Sequence, residues 1–556
     1  MVDQTDRVHV RLAELVAALS LGIDLGFGQP MEHVLRQCLI SLRMAEIIDL
    51  GEQQRAVVYY TALLVNVGCH SDAHEQTKWF GDDIALKSGK YDYEIRSLRA
   101  AAAGMRQLGA GRPPLHRFRV GLEFALSGHR EVDGMISHHA AIARTLGEQL
   151  GLSAEVLEAL GAAYEMWDGR GWPGRLKGDE VPIASRIAQL AEYAEVAHRV
   201  GGIEGARALA RRRAGKQFDP ALARALDEQA ETVFVGLDSV ATWEAVIEAE
   251  PSLALVVAGE RFDEALAAIA NFVDLKSPYT LGHAQAVADL AGAAAAQSGS
   301  SEAEVRTIRR AGLVQGLGRL GVSNSIWDKA GPLGPGEWER VRLHPHITDR
   351  MLNQSVALAP LAAIAVQLRE RLDGSGYPRG LSGPAISRPA RLLGAADAYQ
   401  AMREPRPYRP ARSGEEAAAQ LRADVKAGRF DADAVDAVLG VAGHRVTRRR
   451  DGPAGLTQRE VEVLRLLARG LTNKQIATTL TISSKTVANH VEHIYAKIGA
   501  STRARAGLFA MQHGLLPEEQ FAVEKMGQTP HAIPPTPIYG QARSNSAANT
   551  DEEQPT

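Results

Sequence analysis

The chain has 556 residues, 45% of them hydrophobic, and a nearly balanced formal charge of −3, an ordinary soluble composition with room for about three or four domains. Its only cysteines, Cys38 and Cys69, exclude a disulfide framework and a CxxC metal knuckle, so both read as small core residues. The start lacks a basic-then-apolar signal pattern, and no apolar run approaches the ~20 residues of a membrane span, so the expectation is a cytoplasmic protein with no membrane partner.

Most of residues 1–445 reads as helical, rich in Ala, Leu, Glu and Arg with apolar residues three and four apart, as in VLEALGAAYEM and RFDEALAAIANFVDL. Residues 72–96 are polar, charged and dotted with Gly, which predicts a surface excursion. Residues 229–258 read as a bridge, and 443–453 as a basic linker. Residues 445–505 hold 12 Lys/Arg against 4 Asp/Glu, a net of +8 that leaves −11 for the rest. A basic segment on an acidic body points to one nucleic-acid-binding module. The end of the chain, 527–556, is rich in Pro, Gln, Ser, Asn and Thr and reads as disordered.

Within the helical body one motif occurs twice, WDGRGWPGRLKGDEVPIASRI at 167–187 and LDGSGYPRGLSGPAISRPARL at 372–392, 205 residues apart. Gly and Pro fix backbone turns, so their ordered recurrence predicts a repeated loop shape. The repeat extends outward. His139 precedes Asp168 by 29 residues and His344 precedes Asp373 by 29. Glu192 and Asp397 each follow 24 residues after those aspartates, and His33 and His283 pair at an offset of 250. The offset change places about 45 extra residues in the first copy between about 70 and 130. The expected architecture is all-α: a first copy over 1–250, a second over 251–445, a linker at 446–455, a small module at 456–516 and a tail at 517–556.

The small module carries clear punctuation. Thr457 with Glu460 and Thr472 with Gln475 form capping boxes, Ser483 reads as an N-cap, and Gly470 and Gly499 close helices. Val487, Val491, Ile494 and Ile498 make a buried stripe, which turns Lys485, Asn489, Glu492 and Ala496 outward. Two short helices joined by a tight turn, the second exposing Lys and Asn, form a helix-turn-helix. Lys can donate to guanine and Asn can pair with adenine; an ordinary bundle with a solvated basic face is the plainer reading of the same pattern.

The run from LTQREVEVLRLLARGLTNKQIATTL through TISSKTVANHVEHIYAKIGA resembles the LuxR-type (GerE- or NarL-like) helix-turn-helix of bacterial regulators. The resemblance implies a four-helix domain whose third helix enters the major groove of double-stranded DNA, and a homodimer on two half-sites. The matching recognition positions are Ser484, Lys485, Thr486, Asn489 and His490, while Lys474, Lys497 and Arg503 match positions that face phosphates.

The DGSGYP loop at 373–378, with DLKSPYTLGH at 274–283, His344-Pro345 and Asp397, resembles the HD-GYP family, a subset of the HD-domain phosphohydrolases. DGRGWP at 168–173 and RAGKQFDP at 213–220 extend the likeness to the first copy. Active members are all-helical metal enzymes that hydrolyse cyclic di-GMP or related nucleotides. The chain departs at the family's ligand positions. The His-Asp doublet is Gln315-Gly316 in one copy and Val65-Asn66 in the other, and the His-His pair is Leu368-Arg369 and Ala163-Tyr164. The general-base lysine position is Arg319 and Cys69. His283, His344 and Asp397 remain in the second copy and His33, His139 and Glu192 in the first, so they are the residual metal candidates. Two-metal hydrolysis needs a bridging carboxylate, and none remains. The expectation is therefore no catalytic residue, no cofactor unless a divalent metal occupies those remnants, and a regulator whose inactive body senses a ligand or sets dimer geometry. A phosphohydrolase with residual activity and a protein-docking scaffold are the alternatives.

Overall fold

The computed structural model describes residues 9–93, 98–110, 113–124, 126, 129–251, 255–445 and 451–516. The expected disordered tail at 517–556 and linker residues 446–450 lie outside them. Among the described residues the regular elements are helices, apart from four two-residue strands. Two compact units emerge, Met1–Val446 and Thr447–Thr556. None of the described helices is long and apolar enough to cross a membrane.

The first unit is built around helix Leu12–Gly26, in which all but two residues are buried. Such a helix must be covered on every side. Its neighbours come from both ends of the unit: a Cβ added at Gly22 would meet Met351 Cε at 2.7 Å and Leu320 Cδ1 at 3.0 Å. Val10–Arg11 also pairs antiparallel with Val256–Val257. One core therefore runs from Leu35, Leu63 and Ile187 to Phe262, Ile269, Leu317 and Met351. A second core, around Val287, Leu393, Leu421 and Val438, belongs to the later residues alone.

The two copies share local geometry. His33 opens helix His33–Ile47 and His283 opens helix His283–Gln297, each after a left-handed residue, Glu32 or Gly282. Asp24 accepts from the Val34 amide at 3.1 Å, and Asp274 accepts from the Ala284 amide at 2.8 Å. Gly68 and Gly318 lie so close to the carbonyls of His139 and His344 that any Cβ would collide, at 2.1 and 1.9 Å. These are positions where only glycine fits.

The described part of the segment expected as a surface excursion, residues 72–93, folds inward instead. Helices Ala73–Phe80 and Asp83–Ser88 lead to a tight turn at Gly89–Tyr91. Asp83 is fully buried and lies 3.2 Å from Lys87 and 3.5 Å from Lys276, and it accepts from Ser323 Oγ at 2.7 Å and the Asn324 amide at 2.9 Å. Polar residues can be buried when paired and hydrogen-bonded, which composition alone does not show.

The second unit has helices Gln458–Ala468, Asn473–Leu480, Ser484–Ile498 and Arg503–Gln512. Both capping boxes form, Ser483 accepts from the Thr486 amide, and Gly499 closes the third helix at φ 63°. Thr481 takes the left-handed conformation at φ 55°, which makes the tight turn. Val487 and Ile494 are fully buried, with Val491 and Ile498 packed partly against the same core.

Candidate functional site

The repeated loops are built alike. Glu165 accepts from the Gly174 and Arg175 amides at 3.1 and 2.8 Å, and Glu370 accepts from the Arg379 and Leu381 amides at 2.8 Å each. Asp168 and Asp373 accept from the amides two residues on, at 2.9 and 3.0 Å. Trp172-Pro173 and Tyr377-Pro378 are both cis. The anchoring glutamates lie 205 residues apart like the loops, a spacing that could have identified them in the sequence.

In the second copy the loop closes over a cluster of charge. His283 donates through Nδ1 to Glu404 at 2.9 Å and through Nε2 to Asp397 at 3.1 Å. Burial opposes its charge, but the two carboxylates raise its pKa. Arg369 Nη1 lies 2.7 Å from Asp397. Burial would raise the Asp397 carboxyl, yet Arg369 and His283 hold it well below the usual carboxylate range. His344 donates through Nδ1 to the Val341 carbonyl at 2.6 Å, and burial with the nearby Arg369 pushes its pKa down to about 3. Arg319 lies over Trp327, 4.9 Å from the ring centre. Beside this cluster is a cavity of about 640 Å³ lined by Arg342, His346, Asp349 and the 374–379 loop. Tyr377 joins the two, since it lines the cavity and its ring meets His344 edge-on at 6.0 Å.

In the first copy the infolded segment delivers a lysine. Lys90 Nζ lies 2.6 Å from Glu192 and 3.5 Å from Asn66 Oδ1. Burial opposes the ammonium, but Glu192 holds its pKa above the usual value. Tyr91 donates to Glu192 at 2.9 Å, and His33 Nδ1 donates to Glu195 at 2.5 Å. His139 Nε2 donates to Asp72 at 2.7 Å. Burial opposes the His139 charge, but Cys69 and Asp72 raise its pKa to about 9. Cys69, expected as a bland core residue, lies 2.8 Å from Tyr164 Oη. Burial would raise its thiol, yet His139 draws it below the ordinary value. Lys90, Tyr91, Glu195 and Glu404 were missed in the sequence, because none sits at a motif position.

The structure thus brings together His283 and Asp397 and places His344 near them. It brings His33 close to Glu192 through Tyr91, with His139 directed to Asp72. As arranged, these residues do not fit a divalent cation. Both nitrogens of His283 are engaged, a guanidinium covers Asp397 and an ammonium covers Glu192. Among the described residues no three His, Cys, Asp or Glu side chains converge as a metal set.

On the C-terminal unit, Ser484, Lys485, Thr486 and Asn489 are exposed on the third helix and His490 is half-buried. Lys474 and Arg503 are exposed, and Arg503 donates to the Leu471 carbonyl. Lys497 is committed within the fold: its Nζ lies 2.7 Å from Glu460 and donates to the Gly455 carbonyl at 3.0 Å. It ties the third helix to the N-terminus of the first.

A family model described as HD domain matches residues 129–222 and 267–434, and one described as bacterial regulatory proteins, luxR family, matches 454–510. The 3'3'-cGAMP-specific phosphodiesterase 3 of Vibrio cholerae is 31% identical over 404 residues, covering 72% of this chain and 88% of that protein. The chain is an HD-domain protein carrying a luxR-family module. A crystal structure of a cyclic GMP-AMP specific phosphodiesterase from V. cholerae (V-cGAP3) matches the fold with a TM-score of 0.55 and 27% identity, covering 78% of this chain and 98% of that one. The cyclic di-GMP phosphodiesterase response regulator RpfG of Xanthomonas campestris is 36% identical over 183 residues, 32% of this chain and 48% of that protein.

These relatives overturn the expectation that the HD body is not an enzyme. Proteins named as phosphodiesterases share most of its length, which points to an enzyme. The sequence reading weighed single motif positions, whereas the likeness extends over 404 residues of scaffold. Side chains also enter the two sites from outside the motif positions, as Lys90 and Glu404 do.

Proposed function

We propose that this protein is a transcription regulator whose HD body acts on 3',3'-linked cyclic dinucleotides and whose luxR-family module reads DNA in response. The observation that carries this reading is the joining of two parts in one chain. One is a body sharing 88% of the length of a protein named as a 3'3'-cGAMP phosphodiesterase. The other is a helix-turn-helix with Lys485 and Asn489 turned to solvent.

Exposed Lys and Asn on such a helix can donate to guanine and pair with adenine, while Lys474 and Arg503 supply phosphate contacts. Leu508 and Met511, 49% and 54% exposed on the fourth helix, support a homodimer through that face. A dimer whose half-site spacing depends on the state of the body would couple nucleotide to DNA. The cavity beside Tyr377, about 640 Å³, is in the range of small-molecule sites.

Two assays on the full chain test this. Turnover of 3'3'-cGAMP and cyclic di-GMP is followed by chromatography with manganese present. Affinity for DNA selected from a random pool is measured with and without each nucleotide. The reading expects product and a nucleotide-dependent change in DNA affinity. Neither binding nor turnover of any cyclic dinucleotide would sink it.

A further inference from the structure

We infer that the second copy holds a phosphodiester through a guanidinium cradle formed by Arg319 and Arg369 with the Gln315 amide, without needing a metal ion to bind it. This rests on the proposed function and names the groups that would meet the nucleotide's phosphate.

Charge is the first observation. In this cluster Asp397 serves Arg369 and His283, and Glu404 serves His283 and Arg406, the latter at 2.8 Å. Asp274 accepts from the Ala284 amide; burial pushes its pKa up to about 6, which leaves it mostly ionised at neutral pH, and it acts on Arg319 without forming an ion pair. Arg319 has no ion pair among the described residues; its one close partner is the Trp327 ring. Burial lowers its pKa, Asp274 and Asp397 oppose that, and Arg406 and Arg369 lie near enough to lower it further. A buried cluster with an unpaired guanidinium is costly unless an anion completes it.

Orphaned donors are the second observation. Gln315 is 3% exposed, and its Nε2 has no hydrogen-bond partner; Arg369 Nε is likewise buried without one. Buried donors are almost always satisfied. The turn carrying Gln315 also carries Arg319, whose Cδ lies 3.7 Å from where a Gly316 Cβ would be. That glycine, in place of a carboxylate, keeps the space open and uncharged. Two buried donors without partners, Gln315 Nε2 and Arg369 Nε, together with the Arg319 guanidinium suit the oxygens of a phosphodiester, since guanidinium forks match phosphate geometry.

The site can be reached. The Arg369 side chain is 25% exposed, and Tyr377 links the cluster to the neighbouring cavity. A phosphate on the arginines would leave the rest of a nucleotide to that cavity.

The test is calorimetric titration of the full chain with 3'3'-cGAMP, cyclic di-GMP and inorganic phosphate, in EDTA and in manganese. Dinucleotide binding is expected in EDTA within about threefold of its value in manganese. Arg319→Met should weaken it by about tenfold or more and Gln315→Leu by about fivefold, with thermal midpoints near the parent's. Arg319 makes no direct ion pair among the described residues, and Asp274 keeps its bond from the Ala284 amide without it, so its loss should leave the fold intact. Binding only in manganese, or binding indifferent to both substitutions, overturns the cradle and leaves the proposed function standing. Inorganic phosphate binding that is sensitive to Arg319→Met, without dinucleotide binding, supports the cradle and rejects the proposed function. No binding of any probe in either buffer rejects both.

Discussion

Lys90 stands 2.6 Å from Glu192 in the first copy, as Arg369 stands 2.7 Å from Asp397 in the second. The two acids are equivalent by repeat, but the two cations are not. One arrives on the infolded segment and the other replaces a histidine of the family pattern in place. Each carboxylate is nonetheless met by a protein cation.

Removing the first of these cations should show its worth. Lys90→Met would strand a Glu192 side chain that is 4% exposed, and the lysine itself is only 23% exposed. Breaking such a pair is expected to cost about 2–3 kcal/mol. Urea unfolding should show that loss, with more than half of it recovered in Lys90→Met/Glu192→Gln. No recovery would mean that Lys90 stabilises by packing rather than by charge.

The loop anchors should behave as a matched pair. Glu165→Gln and Glu370→Gln each remove the charge that holds loop amides while keeping one acceptor oxygen. Each is expected to cost about 1–2 kcal/mol. Thermal unfolding of the two variants should show similar shifts. A large effect in one and none in the other would separate the two loops in role.

His344 makes a pH prediction. Its folded pKa is pushed down to about 3 from an ordinary 6.5. The unfolded chain therefore takes up a proton first as pH falls, so stability from the neutral ring is present above 6.5 and drains away below it. Between pH 6 and 4.5 the parent should lose roughly 1–2 kcal/mol relative to His344→Gln. Parallel stability curves for the two proteins would refute a neutral buried ring.

The DNA module separates reading from holding. Asn489→Ala should relax base choice by about 1–3 kcal/mol at one position of the selected DNA. Lys474→Ala should weaken selected and random DNA alike and flatten the salt dependence. Lys497→Ala should act chiefly on the module's thermal midpoint, by about 1 kcal/mol or less, because it faces Glu460. Fluorescence anisotropy and thermal melts distinguish the three. Equal effects of Asn489→Ala on selected and random DNA would remove it from base reading.

Local physics was legible in the sequence. Thr457, Thr472 and Ser483 each cap the helix their spacing predicts, and Gly499 ends the third one in a left-handed conformation. The two DGxGxP loops recur in structure because Gly and Pro fix backbone geometry by themselves, whatever surrounds them. The pairing of His33 with His283 and His139 with His344 followed from spacing alone.

What only the tertiary structure decided is who meets whom across long separations. Residues 72–96 look like solvated surface because composition counts charges without partners. Asp83 is buried because Lys276, Ser323 and Asn324, about two hundred residues away, complete its shell. Lys497 looks like a phosphate contact until Glu460 is seen beside it. The same holds for Lys90 with Glu192 and for Glu404 with His283. Helix caps and glycine turns are set by residues within a few positions of one another. Buried charge is set by desolvation and by partners that only the folded chain brings within hydrogen-bond reach.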